Sequence, residues 1–202
     1  STFRSQSKFD GDVIPIVINV CNFPPENADG VSLLSFEQVE TLFHEFGHGL
    51  HGLLSNAQYP SLSGTSVTRD YVEFPSQMME NWAREPEVIK TFAKHYQTGE
   101  VISDELLDKI SDAGTFNEGF ATTEYVAAAH LDMAYHTDKN TITDIDKFED
   151  QVLEDLGLID EIEARYRSTY VGHIFAGGYS SGYYSYLWTE VLEADAFEAF
   201  KD

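Results

Sequence analysis

Ser35-Phe36-Glu37-Gln38-Val39-Glu40-Thr41-Leu42-Phe43-His44-Glu45-Phe46-Gly47-His48-Gly49-Leu50 is the stretch on which the reading of this chain turns. Val39, Leu42, Phe43, Phe46 and Leu50 recur at helical spacing, an apolar stripe that predicts an amphipathic helix. Ser35 reads as its N-cap, and Gln38, three residues on, completes a capping box. On such a helix, with about 3.6 residues per turn, His44 and His48 at i and i+4 lie one above the other, so both imidazoles reach a single ion.

Glu45 faces the same pocket but follows His44 too closely to be a comfortable third ligand, which leaves it free as a general base. The pattern is H-E-x-x-H, and the chemistry it points to is peptide hydrolysis at zinc. Five-residue patterns of this kind also arise by chance on solvated helix faces, so the context carries the weight. The motif sits in mid-helix, and Gly47 and Gly49 each cost up to about 1 kcal/mol there relative to Ala. Their presence predicts that something packs closely against this helix.

Composition bounds the rest. The chain has 202 residues, 42% of them apolar, enough for one domain with a core. It shows no signal peptide, no apolar run of transmembrane length and no basic cluster, so membrane spanning and nucleic-acid binding are disfavoured. A formal net charge of −23 argues the same way, since it repels polyanions. Cys21 is the sole cysteine and has no partner for an internal disulfide. That accords with a reducing, cytoplasmic compartment, although a disulfide-free periplasmic protein would look the same. The chain opens on Ser1-Thr2-Phe3-Arg4 without Met and reads as a portion of something longer.

Along the chain, Val13 to Val20 is a β-branched run closed by the turn-rich segment from Asn22 to Gly30, and reads as a strand with Pro15 at an edge or strand start. After the motif helix, the Ser-, Gly- and Thr-rich segment from Ser55 to Thr68 is a connection. A helix then carries Pro75 in its first turn and runs to roughly Tyr96. Three more helices are predicted near Ser103 to Ile110, Asn117 to Tyr135 and Asp144 to Leu156. A Gly- and Tyr-rich segment from Val171 to Tyr186 precedes a terminal helix ending near Phe200. The expectation is a mainly α domain with one small β-sheet.

Catalytic zinc commonly has three protein ligands and an open position, so the histidines need one more donor. Glu73, 25 residues after His48, approaches the first helix if the connection folds back. Glu80 does so only from about two turns deeper. Spacing favours Glu73 without excluding Glu80, and a helix N-terminal acid favoured by the macrodipole is an equal reading of Glu73. Gln77, four residues on, is placed to hold that carboxylate. His51 would close the open position if it were a ligand, and is assigned to packing or hydrogen bonding. His95, His130 and His136 lack metal spacing. In the segment from Gly172 to Tyr186, glycines allow close approach to a ligand, while tyrosine hydroxyls and His173 offer hydrogen bonds to an oxyanion; a packed aromatic stripe is the alternative.

Taken together, these residues resemble the M3 family of zinc oligopeptidases, whose members include thimet oligopeptidase, neurolysin and oligopeptidase A. The resemblance rests on Leu42 to Ser55, on Ser63-Gly64-Thr65 with Arg69 to Gln77, on His173 to Trp188, and on Cys21-Asn22-Phe23-Pro24. Tyr96-Gln97-Thr98-Gly99 and Arg165 to Tyr170 are most similar to the bacterial peptidyl-dipeptidase branch. It implies a zincin-like catalytic part of the neurolysin and thimet oligopeptidase fold, with residues 1–202 a C-terminal catalytic fragment that lacks the N-terminal helical part of its parent. By resemblance His44, His48 and Glu73 bind one zinc per chain, and Glu45 is general base and then proton donor. His173 and Tyr186 stabilise the oxyanion, and Tyr179 and Tyr183 surround the peptide. The implied substrates are short peptides, cut to release C-terminal dipeptides; internal cleavage, or a zinc-binding module without activity, are the other readings. Arg167 is the expected partner of the peptide's terminal carboxylate, because a guanidinium holds a carboxylate bidentately. A surface pairing of Arg167 with Glu161 or Glu163 is the competing expectation.

Overall fold

A computed structural model describes residues 1–159 and 161–201. It divides into two compact units, one formed by Ser1–Asp108 with Leu187–Asp202 and the other by Lys109–Tyr186.

In the first unit β1 (Thr2–Arg4) pairs antiparallel with β2 (Ile16–Val17), with Thr2 opposite Val17 and Arg4 opposite Ile16. The strand expected over residues 13–20 is thus two residues long, starting directly after Pro15, whose ring removes the N–H a longer ladder would need. Helix α1 (Phe36–Leu53) has the expected capping box: Ser35 Oγ accepts the Gln38 N–H, and Gln38 Oε1 accepts the Ser35 N–H. Its buried face differs from the expected one. Leu42 and Phe46 are 40% and 48% exposed, whereas Gly47, Gly49 and Gly52 are the buried positions. This helix packs through its glycines, with backbone against Gly47 and side chains of Asn19 and Val17 against Gly49 and Gly52. A Cβ on Gly47 would stand 2.4 Å from the Pro75 carbonyl oxygen and 2.6 Å from Ser76 Cα. One on Gly52 would meet Val17 Cγ2 at 2.8 Å.

The connection holds short 3-10 turns at Pro60–Leu62 and Arg69–Tyr71 and leads into α2 (Phe74–Arg84). The single helix expected to Tyr96 is broken: α3 (Pro86–Phe92) follows after Glu85, which adopts φ −69°, ψ 122°. Pro86 drives this residue out of helical conformation by clashing with its backbone. Trp82 of α2 stacks edge-on against Phe197 and Phe200, at 5.2 and 5.6 Å between ring centres, and Asn81 bonds Glu193, so the C-terminal segment is pinned to α2.

Helix α4 (Asp104–Thr115) precedes the second unit's α5 (Glu118–Thr137) and α6 (Ile145–Leu156). Asp144 caps α6 by accepting the Lys147 N–H at 3.1 Å. Leu131 and Ile174, nearly solvent-free, anchor the two apolar clusters of this unit, each contributing about 1.5–3 kcal/mol by burial. Within the Gly- and Tyr-rich segment lies the single-turn α7 (Gly172–Phe175), and the terminal helix is α8 (Ser185–Phe197), closed by a 3-10 turn at Glu198–Phe200. The chain is mainly α with one small sheet, as its sequence predicts.

Candidate metal centre

The glycine contact between α1 and the start of α2 brings the three expected ligands together. Glu73, the residue before α2, is 2% exposed, and its Oε2 lies 3.3 Å from His44 Nε2 and 3.1 Å from His48 Nε2. One donor atom from each of the three residues falls within 4.8 Å of the others. Donors held at about 2.0–2.2 Å around a tetrahedral zinc stand about 3.3–3.6 Å apart, so two imidazole nitrogens and one carboxylate oxygen at these spacings fit such an ion. The donor set also has the chemistry of a cation site: two imidazoles and a carboxylate are ligands that zinc accepts.

The carboxylate of Glu73 is fixed by its own helix. Ser76, fully buried, donates its hydroxyl to Glu73 Oε2 at 2.9 Å and to the Glu73 carbonyl at 2.8 Å. Gln77, expected over that carboxylate, accepts the Thr189 hydroxyl through its side-chain oxygen, and its backbone N–H bonds the Glu73 carbonyl at 2.9 Å. Glu80 takes a place that spacing did not assign. Its Oε1 lies 2.6 Å from His44 Nδ1, so it grips the ring from behind while Nε2 faces Glu73. Glu73 and Glu80 are two helical turns apart on one face, and that periodicity was the available signal.

Burial disfavours the His44 imidazolium, but hydrogen bonds to Glu73 and Glu80 overcome it and push the pKa up to about 9. His48 sits edge-on to His44, with ring centres 4.9 Å apart, and its Nδ1 has no hydrogen-bond partner among the described residues. Glu45 is half-buried beside them, and Asn19 donates its side-chain amide to the Glu45 carbonyl at 2.9 Å, fastening the loop after β2 over the motif. His51 stands apart from the ligand set. It lines a cavity of about 450 Å³ with Leu50, Leu54, Leu62 and Pro75, and burial, with His48 nearby, holds its pKa below the usual value.

In the second unit His173, Tyr179, Tyr183 and Tyr186 form one aromatic group. Tyr179 stacks on Tyr186 at 5.3 Å, and His173 lies 6.1 Å from Tyr179 and 6.0 Å from Tyr183. Tyr183 and Tyr186 are 5.7 Å apart. Burial, reinforced by Tyr166, raises the Tyr183 pKa well above the ordinary tyrosine range, so its hydroxyl stays neutral and able to donate. Arg167 is neither free nor paired with Glu161 or Glu163. Its Nε forms an ion pair with Oε1 of Glu149, a 2%-exposed carboxylate whose Oε2 accepts the Ser168 N–H and hydroxyl at 2.7 and 2.5 Å. A buried acid outcompetes exposed ones for the guanidinium because it has no water to lose it to.

No helix of the described chain is long and apolar enough to cross a membrane. The family model for peptidase family M3 matches residues 1–202. Dipeptidyl carboxypeptidase of Escherichia coli (strain K12) is 46% identical over 190 residues, 92% of this chain and 28% of that protein. Organellar oligopeptidase A of Arabidopsis thaliana, chloroplastic/mitochondrial, is 40% identical over 198 residues, 94% of this chain and 24% of its own length. Oligopeptidase A of Escherichia coli (strain K12) is 39% identical over 204 residues, 96% and 29% respectively. The chain thus spans only about a quarter of the length of these curated relatives. Matched along its whole length by the family model, and carrying two histidines and a glutamate poised for one metal ion, the chain belongs to peptidase family M3.

Proposed function

We propose that this chain is the C-terminal catalytic portion of a zinc peptidyl-dipeptidase that releases dipeptides from the C-termini of short peptides. The observation that carries the reading is Glu73 Oε2 at 3.3 and 3.1 Å from the two motif imidazoles, with Glu45 beside them on α1. His44, His48 and Glu73 hold one zinc, with Ser76 and Glu80 orienting Glu73 and His44. Zinc held there supplies Lewis acidity, easing loss of a proton from water and polarising a peptide carbonyl.

Glu45 takes the proton from the attacking water and returns it to the leaving amine. Tyr186 and His173 donate hydrogen bonds to the developing oxyanion, and one such donor is worth about 2.7–4 kcal/mol of barrier. Tyr179 and Tyr183 line the peptide. Arg167 receives its terminal carboxylate, sharing the guanidinium with Glu149. The rest of the parent protein closes the channel. In support, Phe46, Leu54 and Leu62 are 48%, 76% and 64% exposed, apolar surface of the kind that a neighbouring segment covers. We place the protein in a bacterial cytoplasm, in keeping with its single unpaired cysteine.

In the full-length protein, Glu45→Gln is expected to keep the metal while hydrolysis falls about 10²- to 10⁴-fold. A metal assay run beside dipeptide release checks this, and undiminished hydrolysis would end the proton-transfer assignment. The masses of the products separate terminal dipeptide release from internal cleavage, which is the second reading favoured by the 39% and 40% identity to oligopeptidases A. Arg167→Ala is expected to slow cleavage of free-acid peptides far more than of C-terminally amidated ones. Equal losses on both would sink the carboxylate role.

A further inference from the structure

Helix α5 buries an acid that the proposed reaction does not use. Asp132 is 1% exposed, and a carboxylate removed from water must recover its hydrogen bonds within the protein. It does so on the tyrosine segment. Its Oδ1 accepts the backbone N–H of Ser181 and its Oδ2 that of Tyr183, each at 2.9 Å. His136, one turn along α5, places Nδ1 2.9 Å from Oδ1.

The turn held this way is not a relaxed one. Ser181 has φ 54°, a left-handed conformation uncommon for residues other than glycine. Its neighbours are satisfied locally. Gly182 N–H bonds the Tyr179 carbonyl at 2.8 Å, Ser180 Oγ donates to the Ile174 carbonyl at 2.6 Å, and the Tyr125 hydroxyl donates to the Tyr183 carbonyl. The amides of Ser181 and Tyr183 are therefore gripped at two points by one planar group on a 20-residue helix, which fixes both the position and the tilt of the turn. Tyr179 enters this turn and Tyr186 leaves it in the first turn of α8.

We infer that Asp132 is a positioning residue for the peptidase reaction: its carboxylate, holding the Ser181 and Tyr183 amides, fixes the turn through the 3%-exposed Tyr183 and so sets the direction from which the half-buried Tyr186 meets the peptide. The inference rests on the reading that these tyrosines serve the substrate. An asparagine cannot replace this carboxylate, because its NH2 group would confront one of the two N–H donors.

The test uses the full-length protein with Asp132→Asn, Asp132→Glu and, in parallel, Tyr186→Phe. For Asp132→Asn, kcat is expected to fall about 10²-fold with little change in KM or metal content, as a small misplacement of reacting groups predicts. Hydrogen exchange at the Ser181 and Tyr183 amides should accelerate in the same variant. Asp132→Glu, which keeps two acceptor oxygens, should recover part of the lost kcat. Undisturbed kcat or undisturbed exchange in Asp132→Asn overturns the inference, as does loss of bound metal or of the folded state, which would assign Asp132 to folding. Full kcat in Tyr186→Phe would instead overturn the reading beneath it. Loss of kcat in Tyr186→Phe with full kcat in Asp132→Asn would overturn the inference alone.

Discussion

His44 divides its ring between two carboxylates, and the division gives each a different task. Glu73 meets Nε2, where a metal would bind, while Glu80 at 2.6 Å from Nδ1 fixes the ring plane and makes the imidazole more basic. Glu80→Gln is therefore expected to weaken metal affinity about 10- to 100-fold without removing a ligand, measured by competition with a chelator. Unchanged affinity would show that the ring is oriented by packing alone. H-E-x-x-H made His44 and His48 legible because i and i+4 positions share a helix face whatever surrounds them. Glu80 was harder to read, since its partner lies 36 residues away and only the approach of two helices decides which of two same-face acids meets which nitrogen.

That approach is governed by α1 and α2 rather than by any one ligand. Gly47 lets the backbone at Pro75 and Ser76 come so near that an added methyl would overlap it, at 2.4 and 2.6 Å. Gly47→Ala gains up to about 1 kcal/mol of helix propensity, yet is expected to destabilise the protein by about 1–3 kcal/mol through overpacking. It should also weaken metal binding, because α2 carries Glu73 away as it yields. Denaturant unfolding and a metal titration check the two effects, and a net stabilisation would refute the contact. The glycines announced a close neighbour in sequence, but their identity as the buried face did not emerge from an apolar stripe. Leu42 and Phe46 belong to that stripe and are exposed, since periodicity marks a face without saying what covers it. The expectation of one helix to Tyr96 missed the break between α2 and α3, although its signal stood in the sequence: Pro86 accounts for it.

Across the molecule, protons and metal compete for one pocket. In metal-free protein the His44 pKa of about 9 exceeds its unfolded value of 6.5, so the stabilisation it brings is complete below about pH 6.5 and is lost as pH rises through about 9. His51, with its pKa lowered by burial and by His48, acts in the opposite sense but below that window. Metal needs the deprotonated ring, so protection by zinc should grow over the same range in which the metal-free protein weakens. Melting temperatures with zinc and with chelator, measured from pH 6 to pH 9.5, should diverge as pH rises; parallel curves would mean that zinc binds elsewhere. The second unit shows the same dependence on buried acids, with Asp132 holding the tyrosine turn and Glu149 holding Arg167 and Ser168. Neither acid stood out in a chain with 35 acidic residues, because burial is what distinguishes them.

Local rules sufficed for most of the helices, the capping box of α1 and the paired imidazoles, which depend on residues within a turn or two of one another, while the family resemblance drew on separate segments from Cys21 to Trp188. Tertiary structure alone decided that Glu80 stands behind His44, that glycine rather than leucine faces α2, and that Asp132 grips a turn 49 residues away; Glu73, which spacing favoured and the resemblance implied, it set within 3.3 Å of both histidines. The physical reason is the same in each case. A carboxylate or a glycine acquires its role from what is brought within about 3 Å of it and from the water thereby removed, and neither quantity is written in the spacing of a single segment.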